Sequence, residues 1–258
     1  MTTPARNLDT SLAPLARRVL SLVDLTSLNE SDDEPRIVGL VALSSTGAGR
    51  VAAVCTWGRL VAVACRELRG SGIPVAAVAN FPAGDAAIEA AAAETSAAIA
   101  DGAEEVDVVF PYRELLAGKP QVGLELVRAC RRACGDRALL KVILETGRLD
   151  TAECIRRAAD IAIDGGAHFL KTSTGKTQPG ATLEAAAVLL EALAAASRRG
   201  QYVGLKVSGG IRTLSQARSY LELYESRFGS GSANASNFRI GASALMHELL
   251  EYARVQPP

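Results

Sequence analysis

The 258-residue chain has little of several residue types on which common chemistries are built. It has two histidines, His168 and His247, far apart and without carboxylate or cysteine partners at ligand spacing. No metal site built on histidine is expected. Five cysteines, an odd number without CxxC spacing, argue against a disulfide framework or a zinc cluster. Cys130 and Cys134 read as small core residues on one helix face. A reduced, cytoplasmic compartment is the expectation. Net charge is zero, with 28 basic and 28 acidic residues, so there is no basic footprint for nucleic acid. No apolar run approaches the roughly 18 residues that cross a bilayer. Residues 1–20 lack the apolar centre of a signal peptide.

Lysine is the most telling scarcity. The chain has five, Lys119, Lys141, Lys171, Lys176 and Lys206, against 23 arginines. Arginine stays protonated in proteins, whereas a buried lysine can lose its proton and become a nucleophile. Lys141, Lys171 and Lys206 each sit inside an apolar, strand-like run. Lysine is rarely fully buried unless paired. Three such lysines point to chemistry.

What is present is a globular composition, 48% hydrophobic and 22% charged. Its length suits one large α/β domain or two small ones. Short apolar runs at 19–24, 51–56, 75–80, 105–110, 139–144, 169–172, 203–207 and 238–241 read as strands. Helix-like stretches lie between them, among them 85–100, 121–133, 151–164 and 182–196. The run 229–237, rich in glycine, serine and asparagine, reads as a mobile loop. Eight strands separated by helices predict an α/β fold, a single-domain (β/α)8 TIM barrel. The competing open, doubly wound sheet usually carries a GxGxxG turn after its first strand, and Asp24-Leu25-Thr26 stands there instead. The whole chain, 1–258, is read as one domain, with 1–18 a lead-in and 252–258 a tail.

In a barrel of this kind the site lies at the C-terminal strand ends. Those ends offer Asp24, Cys55, Asn80, Asp107, Lys141 with Glu145, Lys171, Lys206 and Ser243. Strand alternation groups Lys171 with Phe169 and Ser173, and Lys206 with Gly204 and Ser208. Asp107, Lys141, Lys171 and Lys206 fall on four consecutive strands, about 4.8 Å apart. Burial and a neighbouring ammonium both disfavour protonated lysine. A neutral lysine can attack a carbonyl and form a Schiff base. The alternative is a buried structural ion network of Asp107, Lys141 and Glu145. After the seventh and eighth runs come Gly209-Gly210-Ile211-Arg212 and Gly241-Ala242-Ser243, turns suited to phosphate, with Lys176 as an added point charge. His168 is expected to point away from the barrel interior. Cys55 reads as a small core residue, Trp57 as packing, and Glu104 and Glu105 as solvent-facing charge.

These residues resemble deoxyribose-phosphate aldolases, class I Schiff-base aldolases, over about 22–250. The motifs that carry the resemblance are Asp24-Leu25-Thr26, Asn80-Phe81-Pro82, the run from Glu105 to Tyr112, the run from Leu140 to Gly147, the stretch from Phe169 to Lys176, and Gly209 to Thr213. The resemblance implies reversible retro-aldol cleavage of 2-deoxy-D-ribose 5-phosphate to acetaldehyde and D-glyceraldehyde 3-phosphate, without metal or organic cofactor. It places the Schiff-base lysine on Lys171, the lysine that perturbs it on Lys206, and proton transfer on Asp107 with Lys141 beside it. Phosphate contacts fall on Gly175, Lys176, Gly209, Gly210, Gly241 and Ser243, with Asp24 and Cys55 near the site. The implied partners are a small sugar phosphate and an aldehyde, with no nucleic acid and no membrane. A homodimer is in keeping with the family. Three departures stand out. Ala244 follows Ser243 where the family has a second serine. Thr56-Trp57-Gly58 replaces an aromatic and a proline. The chain ends Gln256-Pro257-Pro258 where some relatives have a tyrosine. Two rivals are an aldolase for a different or unphosphorylated acceptor, and a catalytically silent barrel that binds a sugar phosphate.

Overall fold

Short runs of buried apolar residues alternate with amphipathic stretches, and each such run forms a strand. The computed structural model describes residues 10–254. The strands are β1 (Val23–Thr26), β2 (Ala53–Trp57), β3 (Val75–Ala79), β4 (Glu105–Val109), β5 (Leu139–Ile143), β6 (Phe169–Lys171), β7 (Gly204–Ser208) and β8 (Phe238–Ala242). Each pairs in parallel with the next, and β8 pairs with β1, so the sheet closes into an eight-stranded barrel. Strands of such a sheet are covered on both faces, which is why they read as apolar runs without alternation.

The helices are α1 (Ala13–Leu20), α2 (Glu34–Ala42), α3 (Val61–Glu67), α4 (Ile88–Ala100), α5 (Tyr112–Leu116), α6 (Pro120–Cys134), α7 (Ala152–Asp164), α8 (Leu183–Ser197), α9 (Leu214–Phe228) and α10 (Leu245–Arg254). A two-stranded hairpin pairs Ser45–Thr46 with Gly49–Arg50. No described helix is long and apolar enough to cross a membrane. Four helices start on side-chain caps that accept a backbone N–H: Asp33 for α2, Thr151 for α7, Thr182 for α8 and Thr213 for α9. Thr213 and Gln216 form a reciprocal capping box. These caps fix where each loop ends, and the loops at that end form the site. On α6 the buried face carries Gly123, Leu126, Val127, Cys130 and Cys134. Both cysteines are thus core residues. A Cβ on Gly123 would fall 2.4 Å from the Phe110 ring, so only glycine allows this helix to sit so close.

Several boundaries differ from expectation. Val19 and Leu20 belong to α1, not to the first strand. With Ala13 and Ala16 they make the buried face of a helix, spaced i, i+3, i+6 and i+7. The run 229–237 is held by side-chain bonds: Asn234 N donates to Asn237 Oδ1 (2.9 Å), and Asn237 Nδ2 donates to Ser232 O (3.0 Å). It is a hydrogen-bonded turn and not a free loop. Residues 13–18 of the expected lead-in lie in α1, and 252–254 of the expected tail lie in α10. Residues 1–9 and 255–258, including the Gln256-Pro257-Pro258 end, fall outside the described residues.

Gly204 is paired in register with Phe169, and its missing side chain makes room for that ring. A Cβ there would lie 2.3 Å from the ring. Gly204→Ala is expected to lower stability by about 1–3 kcal/mol through overpacking, read from urea unfolding. An unchanged midpoint would show that Phe169 can move aside freely.

Candidate active site

Seven charged side chains from six strands meet inside the barrel. Asp24 comes from β1, Glu105 and Asp107 from β4, Lys141 from β5, Lys171 from β6, Lys206 from β7 and Arg239 from β8. All are buried. Asp107 is the hub. Its Oδ1 accepts from Lys141 Nζ (2.7 Å), and its Oδ2 accepts from both Lys171 Nζ (2.8 Å) and Lys206 Nζ (2.7 Å). Lys141 also pairs with Glu105 Oε2 at 2.6 Å and with Asp24 Oδ2 at 3.7 Å. Lys206 pairs with Asp24 Oδ2 at 2.6 Å. Arg239 donates to Asp24 Oδ1 (2.6 Å) and Glu105 Oε1 (3.0 Å).

The three lysines are therefore unequal. Burial disfavours the charged form of each. For Lys141 the carboxylates of Asp107 and Glu105 outweigh burial and push its pKa up to about 12. For Lys206, Asp107 and Asp24 do the same and raise it further. Lys171 has only the oxygen of Asp107 that it shares with Lys206. Burial wins there, aided by the Lys206 charge, and the Lys171 pKa is lowered from the ordinary 10.5. Burial would raise both Asp24 and Asp107. Their lysine neighbours outweigh it and hold both well below the usual carboxylate range.

Lys171 is also the cluster member that lines a cavity of about 300 Å³ at the C-terminal strand ends. Its ammonium marks the floor. The walls come from the end of β1 and the loop after it (Thr26, Ser27, Leu28 and Asn29), the loop after β6 (Thr174, Gly175 and Lys176), the loop after β7 (Gly209 to Arg212) and the turn between β8 and α10 (Ser243 and Ala244). Arg36 of α2 completes the mouth, its Nε donating to Ser27 Oγ at 3.2 Å. Lys176 Nζ donates to Leu28 O at 2.5 Å and ties two loops together. Three cations stand at this mouth, and among the described residues no carboxylate lines the cavity.

All six residues expected at the phosphate, Gly175, Lys176, Gly209, Gly210, Gly241 and Ser243, line this cavity. Gly175, Gly209 and Gly210 have positive φ of 79°, 95° and 87°, which favours glycine. Gly241 has a different reason to be glycine. Its Cβ would lie 3.1 Å from Lys206 Cε and 2.9 Å from Ser208 Cβ, so its absence makes room for the lysine stem.

The expectations for Glu105 and Glu145 changed on contact with the fold. Glu105 is not solvent-facing charge: it is 2% exposed and bridges Lys141 and Arg239. Glu145 does not join Asp107 and Lys141. Its backbone is left-handed (φ 53°), and its carboxylate accepts from Thr174 N (3.2 Å) and Thr174 Oγ1 (2.6 Å). Asn80 holds the loop after β3, with Nδ2 donating to Val109 O at 3.0 Å and Asp85 O at 2.9 Å. Cys55 is buried in a small apolar cluster with Leu28, Ala76 and Val78, and burial raises its thiol pKa. Trp57 packs edge-on against Phe81 and donates to Asn29 O. His168 accepts from Leu140 N at 2.8 Å and lines a second cavity, with Glu104, Glu105 and Arg131, that none of the cluster lysines reaches. Arg239 and Arg36 were missed by the sequence reading. Arg239 could have been found as a charged residue inside the apolar run of β8. Nothing local marks Arg36, which sits on an exposed helix.

The residues 18–232 match the DeoC/LacD family aldolases. The chain belongs to that family and is an aldolase, a carbon–carbon lyase. Similar solved structures include QR15, an aldolase, at 30% identity and TM-score 0.76, covering 90% of this chain and 96% of that one. Proteins assigned as deoxyribose-phosphate aldolase are similar too. One from Coccidioides immitis is 29% identical (TM-score 0.78, covering 92% and 87% of the two chains). One from Toxoplasma gondii ME49 is 25% identical (TM-score 0.87, covering 95% and 98%).

Because the folded-state pKa of Asp24 is depressed, the stability it contributes is complete above the ordinary value of 3.8 and is lost as pH falls through the lowered value. Asp24→Asn is expected to be destabilised by about 3–5 kcal/mol at pH 7, since it takes a carboxylate partner from the buried cations Lys141, Lys206 and Arg239. The difference from the parent should shrink as the medium becomes more acidic than 3.8. Urea unfolding across that range checks it, and a gap that stays constant would contradict the assignment.

Proposed function

We propose that the chain cleaves 2-deoxy-D-ribose 5-phosphate to acetaldehyde and D-glyceraldehyde 3-phosphate through a Schiff base on Lys171. The observation that carries the reading is the coincidence of three properties on one amine. Lys171 is the cluster lysine that reaches the cavity, the one with the fewest carboxylate contacts, and the one shifted toward the neutral form. The similarity to proteins assigned as deoxyribose-phosphate aldolase supports the substrate.

In the cleavage direction the neutral Lys171 amine attacks C1 of the open-chain aldehyde. Water leaves and a protonated imine forms, an electron sink that divides one hard step into easier ones. The C3 hydroxyl loses its proton and becomes the carbonyl of glyceraldehyde 3-phosphate. The C2–C3 bond breaks, and its electron pair moves into the imine to give an enamine. Protonation at C2 and addition of water then release acetaldehyde and restore the amine. Asp107 is the carboxylate in contact with Lys171, and it serves as the anionic partner for these proton movements. Lys206 is held protonated by its carboxylate partners, so in this reading it supplies positive charge and donates. Lys141 holds Asp107 from the other oxygen.

The phosphate sits at the mouth, on the loops after β6 and β7 and at the turn between β8 and α10. Arg36, Lys176 and Arg212 face it without competition from a carboxylate. This charge favours a phosphorylated substrate over the unphosphorylated rival and compensates for the hydroxyl absent at Ala244. Assignment to the cytoplasm and to deoxyribose phosphate catabolism belongs to the same proposal. So does a homodimer, which sedimentation would check.

Lys171→Ala is expected to abolish cleavage while the fold persists. Borohydride with acetaldehyde should add a mass adduct to Lys171 in the parent protein. A folded, active alanine variant or an unmodified parent would overturn the proposal. Arg36→Gln is expected to raise KM for the phosphorylated sugar several-fold with little change in kcat. Turnover of unphosphorylated deoxyribose should be unaffected. Equal effects on both sugars would remove Arg36 from the phosphate site.

A further inference from the structure

The ion-paired cluster contains three carboxylates, Asp24, Glu105 and Asp107, and four bases, Lys141, Lys171, Lys206 and Arg239. Fully ionised, it would carry one uncompensated positive charge in a buried space. Arg239 is the base that creates the excess. It is 4% exposed and cannot be neutralised by losing a proton. It is also held on every side. Its guanidinium spans Asp24 and Glu105, lies 5.7 Å from the centre of the Phe169 ring, and donates through Nε to Ala235 O. The turn at 229–237 is thus fastened to the barrel interior through this residue.

The elements around the lysines contribute to this balance unequally. β1 supplies Asp24, β4 supplies Glu105 and Asp107, β5 supplies Lys141, β7 supplies Lys206 and β8 supplies Arg239. β2 supplies Cys55, whose thiol is kept neutral by burial. β3 supplies Ala76 and Val78, which do not titrate. Glu145, on the loop after β5, is turned toward Thr174.

We propose that Arg239 is a positioning residue, and that with Glu105 it sets the charge balance of the barrel interior so that Lys171 is the amine that gives up its proton. Arg239 does not touch the cavity, and it acts on Lys171 through Asp24, Glu105 and the lysines they hold. With Lys171 neutral, three carboxylates face three cations and the cluster is balanced. Arg239 also occupies part of Asp24 and Glu105, which limits the negative charge left for the lysines. The inference rests on Lys171 being the Schiff-base lysine.

Charge balance makes opposed predictions for two single variants and a third for their combination. Arg239→Met removes a cation, so protonated Lys171 is the balanced form, and deprotonation should move to higher pH by about one unit. Glu105→Gln removes an anion, so deprotonation should move to lower pH by a similar amount. The double variant Glu105→Gln with Arg239→Met restores balance and should return to the parent profile. Arg239→Lys keeps the charge and should also follow the parent.

The measurement is the pH dependence of Schiff-base formation with acetaldehyde, trapped by cyanoborohydride and quantified on the Lys171 peptide. An adduct on Lys171 in the parent is the prerequisite. Its absence would sink the proposed function, whatever Arg239 does. Given the adduct, identical pH profiles in all variants would overturn the inference alone. So would single variants that shift in the same direction, or a double variant that shifts as far as either single. If Arg239→Met does not fold, Glu105→Gln and the double variant still decide the question.

Discussion

The Asp107 carboxylate has two oxygens and three lysine partners. Transferring charges into a barrel interior is expensive unless they are paired and hydrogen-bonded, so the distribution of partners decides which charges survive. Lys141 has Asp107, Glu105 and a longer contact to Asp24. Lys206 has Asp107 and Asp24. Lys171 has a share of one oxygen. The same burial therefore leaves two lysines with raised pKa values and lowers that of the third. On the proposed reading, reactivity follows from an unequal division of counter-ions, not from a special property of the Lys171 side chain.

That division depends on packing that brings long side chains into one small space. Gly241 clears room for the Lys206 stem, and Gly204 clears room for Phe169. Phe169 in turn lies beneath Arg239. Strand register sets the heights: Asp107 is level with Lys141, Lys171 with Lys206, and Lys206 with Arg239. A slip of one residue in any of these pairs would turn a charged group out of the barrel. Closure of the barrel matters for the same reason, since β8 must return beside β1 for Arg239 to meet Asp24.

Much of this was legible in the sequence, for identifiable reasons. The barrel showed in eight apolar runs separated by helical stretches, because parallel strands are covered on both faces. The lysines showed because each interrupts such a run in a chain that otherwise uses arginine. The glycine turns at 209–210 and 241 showed by composition. Other features depend on contacts distant in sequence. Glu105 looks like surface charge beside Glu104 until Arg239, 134 residues away, is placed against it. Glu145 follows Lys141 closely, yet a left-handed turn sends its carboxylate to Thr174. Val19 and Leu20 ran into the first strand because a helix and a strand abut there with no polar break, and only the spacing to Ala13 and Ala16 separates them.

The site carries excess positive charge at two depths, and resolves it differently at each. At the mouth, Arg36, Lys176 and Arg212 stand near solvent, where water and salt screen them and an arriving phosphate can neutralise them. No internal carboxylate is needed there, and one would compete with the substrate. In the interior the cluster is buried, so the excess must be balanced within the protein. Arginine cannot release a proton, and Lys141 and Lys206 are held charged by their carboxylates. The amine with the weakest hold lies between the two regions, on the cavity floor. In the proposed function, a group placed there loses its proton to balance the interior and meets a carbonyl whose phosphate is held at the mouth. On the proposed reading, the same geometry sets both where the nucleophile is and how far from it the substrate's charge must lie.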